Sequence, residues 1–262
     1  MAYAKVNGQE IFYKDSGGNG PAVILAHGFL MDHSMFDAQV AALTPEFRVI
    51  TWDERAFGQT KWDGKDFSYW DSARDCLGLM DHLGIKKCVI GGMSQGGFLS
   101  LRAALTAPDR VTALVLIDTA SDNDGPEILA GYRMMVDTWV QNGPVPQLTE
   151  AIANIIIAEP NENKKWIAKW QHLTSEQVKG AAGCLLDRDD ITSRIGEIKC
   201  PAIIIHGTAD TAISMERAEA MRKGLVGAGQ IVAIDGAAHA ANLTHAALVN
   251  PPLIEFLRRV TK

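Results

Sequence analysis

Short, continuously apolar runs alternate along this chain with longer stretches in which apolar residues recur every three or four positions. The first kind reads as strands buried on both faces, and the second as helices packed against them. Strands are predicted over Glu10–Lys14, Ala22–Gly28, Phe47–Asp53, Cys88–Met93, Val111–Asp118, Ala202–Gly207 and Gln230–Asp235. Helices are predicted over Met35–Leu43, Tyr69–Leu83 with Gly84 closing it, Gln95–Ala107 before Pro108, Met215–Leu225 and Leu248–Val260. An Asn7-Gly8 pair marks a turn ahead of the first strand. This alternation predicts an α/β fold with a mostly parallel central sheet and helices on both faces.

The rhythm breaks between residues 121 and 197. Only helical patterns occur there (ILAGYRMMVDTWV, LTEAIANIIIA, KKWIAKW and SEQVKGAAGCLL), separated by Pro, Gly and Asn. The expected organisation is a core domain built from residues 1–120 and 198–262, with residues 121–197 inserted as a helical lid over a site.

Composition narrows the function. The chain has 262 residues, 47% of them hydrophobic and 21% charged, which suits a folded domain with a substantial core. A net charge of -6 with no basic stripe argues against nucleic-acid binding. The longest charge grouping, Asp187-Arg188-Asp189-Asp190, reads as a solvated turn. No apolar run approaches the length of a membrane span, and no signal peptide is visible at the N-terminus. Four widely spaced cysteines (Cys76, Cys88, Cys184 and Cys200) read as free thiols, so a cytoplasmic protein is expected. The expected state is monomer or homodimer, between which the sequence does not choose. No dinucleotide or P-loop fingerprint and no close-spaced metal-ligand set occurs, so neither cofactor nor metal is expected.

The segment GGMSQGG, Gly91–Gly97, carries the chemistry. A serine hydroxyl is a weak nucleophile until it is aimed and set beside a base. A sharp turn from strand to helix aims it, and the residues two before and two after then crowd together. Gly92 and Gly96 meet that demand around Ser94. Helix initiation at Gln95 adds a free N–H and a positive helix end near the hydroxyl.

Base and acid are sought further along, in the order Ser, Asp, His. His206-Gly-Thr-Ala-Asp210 puts Asp210 just beyond one strand, and Gly-Ala-Ala-His239 puts His239 beyond the next. In an open parallel sheet such loops face one crevice. Asp118 ends a strand on the same edge and competes for the acid role, with Asp210 preferred. His245, His82, His172 and His206 are expected to be structural. The oxyanion that forms on an acyl carbonyl needs N–H donors. Gln95 supplies one, and Phe29, in the loop after Ala22–Gly28, is the choice for the other. Gly28, Met31, Met134 and Trp139 are candidates for the substrate pocket, within an apolar set that includes Met135, Trp166 and Trp170.

Taken together, His27-Gly28-Phe29, WDERAFGQT, GMSQGG, HGTAD and GAAH resemble the α/β-hydrolase-fold serine hydrolases in order and approximate spacing. The layout is similar to the branch holding small esterases, enol-lactone hydrolases and cofactor-free haloperoxidase-like perhydrolases. Ala56 departs from the glycine that relatives often carry in the D-x-R-G-x-G turn. The resemblance implies a carboxylic-ester or lactone hydrolase, and the apolar lid residues, with no arginine pair poised for an anion, lead to the expectation of uncharged, mainly apolar substrates of small to medium size. Perhydrolysis, C–C hydrolysis and a ligand receptor on the same scaffold remain as alternatives.

Overall fold

The structure, a computed structural model, describes residues 2–262. Eight strands form one sheet: β1 (Ala2–Val6), β2 (Gln9–Asp15), β3 (Ala22–Ala26), β4 (Arg48–Trp52), β5 (Cys88–Met93), β6 (Val111–Ile117), β7 (Ala202–Gly207) and β8 (Val232–Ile234). Their order across the sheet is β1-β2-β4-β3-β5-β6-β7-β8. Pairing is antiparallel from β1 to β2 and from β2 to β4, and parallel everywhere else. The sheet matches the predicted architecture. β1 is an addition: Asn7 and Gly8 both take positive φ and close a two-residue hairpin between Val6 and Gln9.

The helices in chain order are α1 (Asp37–Leu43), α2 (Tyr69–His82), α3 (Gln95–Thr106), α4 (Pro126–Asn142), α5 (Pro146–Ile156), α6 (Pro160–Trp170), α7 (Ser175–Leu186), α8 (Met215–Gly224), α9 (Ala241–Thr244) and α10 (Ala246–Val260). Their boundaries follow local chemistry. Ser68 with Asp71, and Thr174 with Gln177, form reciprocal capping boxes at the starts of α2 and α7. Proline opens α4, α5 and α6, where its missing N–H costs nothing.

The central strands β3, β5 and β6 are buried almost throughout, which is why they read as unbroken apolar runs. Helices α4 to α7 stand between β6 and β7, in the interval where the rhythm breaks. Among the described residues no helix is long and apolar enough to cross a membrane.

Because β3 and β5 to β8 run parallel, the loops that leave them emerge at one edge. The segment from His27 leaves β3, Ser94 follows β5, Asp118 follows β6, the Asp210 loop follows β7, and the His239 loop follows β8.

Candidate active site

The turn at Ser94 is strained as the glycine pattern requires. Ser94 has φ 53° and ψ -112°, a conformation that costs an L-residue energy and persists only where neighbours enforce it. Its N–H donates to Ile117 O at 2.9 Å, and its carbonyl accepts from Gly97 N, Phe98 N and the Thr119 hydroxyl. A Cβ on Gly92 would lie 2.6 Å from the Gly96 carbonyl carbon, so the two glycines do crowd each other. Both also lie against the Ala26 carbonyl of β3, a constraint that spacing alone does not reveal.

Asp210 and His239 meet across their loops. His239 Nδ1 lies 2.8 Å from Asp210 Oδ2. The other carboxylate oxygen accepts from Ala212 N at 2.8 Å and Ile213 N at 3.0 Å. Burial works to raise the Asp210 pKa, but the imidazole beside it and these bonds outweigh burial and hold it below the usual value. Asp210 is therefore an anion, and the ring is fixed through Nδ1. Ser94 and His239 line the same cavity, of about 670 Å³ including its open mouth. No direct hydrogen bond joins the Ser94 hydroxyl to the ring; such contacts commonly tighten only when substrate is bound.

Asp118 does not reach His239. Its oxygens accept from Gly207 N at 2.7 Å and Ala241 N at 3.0 Å, tying the start of the Asp210 loop to the residue two beyond His239. Burial, reinforced by the Asp210 charge, raises its pKa well above the usual carboxylate range. His206 stands between the two aspartates and donates from Nε2 to Ile213 O, 2.8 Å away. His245 bonds its neighbour Thr244, and His82 lies 3.5 Å from the Tyr13 hydroxyl. His172 is exposed on the turn after α6.

Phe29 lines the cavity, and its N–H, like that of Gln95, meets no backbone or side-chain acceptor among the described residues. The orientation of the Phe29 N–H is set by His27. His27 Nε2 accepts from Glu54 N at 3.0 Å, so the ring proton sits on Nδ1 and is donated to Gly28 O at 2.8 Å. Met31 N binds the same oxygen. The Gly28 carbonyl and Phe29 N–H belong to one trans peptide, so anchoring the carbonyl directs the N–H the opposite way. Burial lowers the His27 pKa and keeps the ring in the neutral form this pattern needs.

Below Gln95 lies a second buried group. Gln95 Nε2 donates to Glu54 Oε1 at 3.1 Å, and the Tyr69 hydroxyl donates to Gln95 Oε1 at 3.3 Å. Burial, with the negative charges of Asp75 and Asp53 nearby, pushes the Glu54 carboxyl up to about 8. Ser72 lies near enough to favour the charged form, yet neither its hydroxyl nor Glu54 Oε2 has a well-formed bond.

The pocket expectations are partly corrected. Met134 is 70% exposed; one residue along α4, a rotation of about 100°, Met135 faces the cavity instead. Trp139 is buried against Trp170, and Met31 and Gly28 are buried outside the cavity lining, whose apolar residues include Phe29, Met135, Ile152 and Ile156. The Asp187–Asp190 stretch is not wholly a solvated turn. The Arg188 side chain is only 3% exposed and lines the cavity, held by Asp124. Its partner is 64 residues away, so no local pattern announces it.

The family profile described as alpha/beta hydrolase fold matches residues 21–246, and the chain belongs to that family. The thermophilic esterase of Thermogutta terrifontis is 30% identical, with a TM-score of 0.90 covering 100% of this chain and 98% of that one. The enol-lactonase of Burkholderia xenovorans LB400 is 28% identical, with a TM-score of 0.89 covering 98% and 99%. Among curated relatives, the non-heme haloperoxidase of Rhodococcus erythropolis is 26% identical over 96% of this chain and 97% of its own length.

Proposed function

We propose that this protein is a serine hydrolase that cleaves carboxylic esters or lactones of small, mainly apolar molecules through an acyl-enzyme on Ser94. The observation that carries the reading is the Asp210–His239 pair at 2.8 Å opening onto the same apolar cavity as the strained Ser94. Relatives that are an esterase and an enol-lactonase support the same class of bond.

Asp210 holds Nδ1 of His239, leaving Nε2 to take the Ser94 proton as Oγ attacks the acyl carbon. The carbonyl electrons move onto oxygen, where the N–H groups of Phe29 and Gln95 stabilise them. Collapse re-forms the carbonyl and expels the alcohol, which receives the proton from His239. Water then repeats the sequence and releases the acid. With a lactone the alcohol stays tethered to the acyl chain. Residues 121–197 act as the lid, closing the cavity with α4 and α5 and limiting substrate size.

Steady-state acid release tests this with a ladder of acyl esters and size-matched lactones. Turnover of either class is expected, with Ser94→Ala reducing kcat by about ten-thousand-fold while leaving the melting temperature unchanged. A folded protein that turns over neither class, or a Ser94→Ala variant as active as its parent, sinks the reading.

A further inference from the structure

Away from Ser94 and His239 the cavity wall is apolar except at one corner, where Arg188, Asp124 and Tyr132 meet it. Arg188 lies at the end of α7 with its guanidinium over the Phe98 ring, 4.6 Å from the centroid. Nη1 donates to Leu185 O at 3.0 Å, and Nη2 donates to Asp124 Oδ2 at 2.7 Å. Nε is buried from solvent and has no partner among the described residues. A rigid fork of donors with one N–H unpaired is an unfinished hydrogen-bonding site.

The surrounding charges balance. Asp124 also binds Arg217 at 2.5 Å, and Arg217 binds Asp122 at 2.9 Å, so two arginines face two aspartates. Both carboxylate oxygens of Asp124 are occupied, which leaves the corner rich in donors but electrically neutral. Such a corner favours an uncharged oxygen acceptor over a carboxylate, because an anion would lose its hydration without gaining a net opposite charge. Phe98 follows Ser94 by four residues on α3, about 6 Å along the helix. Ser94 and Arg188 line the same cavity, and an acyl chain carrying an oxygen about four or five bonds from the scissile carbonyl has a reach comparable to that rise.

We propose that Arg188 is a substrate-binding residue that receives an uncharged carbonyl oxygen carried on the acyl chain at that distance from Ser94. The assignment rests on the hydrolase reading above and adds to it a substrate class, oxo-substituted acyl esters or lactones.

Binding separates the two claims. Methyl hexanoate, methyl 5-oxohexanoate and monomethyl adipate are titrated into Ser94→Ala protein, where no hydrolysis intervenes. The oxo ester is expected to bind at least tenfold tighter than hexanoate, the ordinary worth of one hydrogen bond from a charged donor. Adipate, with a carboxylate at the same end, is expected to bind no tighter than hexanoate. Adding Arg188→Met should abolish the oxo preference, read as the ratio of the two affinities measured on the same variant. Arg188→Lys keeps the charge beside Asp124 but not the Nε–H, and should also abolish it; this variant carries the test if Arg188→Met does not fold. Equal affinity for the oxo ester and hexanoate, a preference that survives Arg188→Lys, or tightest binding of adipate overturns the proposal. Turnover of plain hexanoate by the Ser94 enzyme is a separate readout, and its absence counts against the hydrolase reading alone.

Discussion

A buried carboxyl with no cation beside it keeps its proton past neutrality, and Glu54 is in that position under Gln95. Its folded value of about 8 exceeds the ordinary 4.5, so between these limits the folded protein binds a proton that the unfolded chain has released. Stability from this group is complete below about pH 4.5, declines as pH rises, and reaches its minimum above about pH 8. The slope it contributes is at most about 1.4 kcal/mol per pH unit. Glu54→Gln removes the titration, so urea midpoints measured from pH 5 to 9 should fall for the parent and stay flatter for the variant. Parallel curves would mean that Glu54 is ionised throughout. The sequence does not reveal this group, because a glutamate inside WDERAFGQT carries no local sign of burial. Ala56, two residues on, was legible as a departure from glycine. It takes φ 65° and is buried. Burial of its methyl, worth roughly 0.8 kcal/mol, offsets part of the ~1–2 kcal/mol cost of the left-handed conformation.

At the scale of elements, the junction of β5 and α3 is where local pattern and tertiary contact agree. The glycines were readable from the turn they serve; the Ala26 carbonyl they rest on belongs to another strand and was not. A methyl at Gly96 would come 2.6 Å from the Ala26 carbonyl carbon, so α3 would have to move off β3. Gly96→Ala is expected to lower the melting temperature by roughly 5–10 °C and to abolish turnover. Gly183→Ala, inside α7 with open space around the new methyl, should raise it slightly, by roughly 1–3 °C. Calorimetry of the two variants checks both signs at once; a stable, active Gly96→Ala protein would refute the packing argument. β1 escaped the sequence reading because it is a five-residue edge strand that alternates exposed and buried positions. The Met134 assignment failed for a related reason, since adjacent helical residues point about 100° apart and the sequence does not fix which one faces in.

Across the whole molecule, the inserted helices are fastened to the loops they cover. Ala240 N, next to His239, donates to Ile156 O at the end of α5 at 2.7 Å. Trp170 Nε1 at the end of α6 donates to Leu30 O at 2.6 Å, and Lys169 binds Asp32 and Ser34 in the same loop. The insertion was legible as a break in rhythm, but these ties join residues up to 140 apart and lie beyond any periodicity. Leu30 takes φ 61°, a strained value for leucine, one residue after Phe29. Trp170 thus helps hold the strained loop that carries Phe29, whose N–H is the proposed oxyanion donor. Trp139 is its control, since it packs on Trp170 with an indole N–H that has no partner among the described residues. Phenylalanine at either position removes similar buried area, but only Trp170→Phe removes a bond to the loop. Both variants are expected to lose about 1–2 kcal/mol of stability. Trp170→Phe alone should lower kcat by about tenfold, a fraction of the 10²–10³ lost with a missing oxyanion donor. If kcat falls equally in both variants, the inserted helices affect catalysis through packing and not through the Leu30 tie.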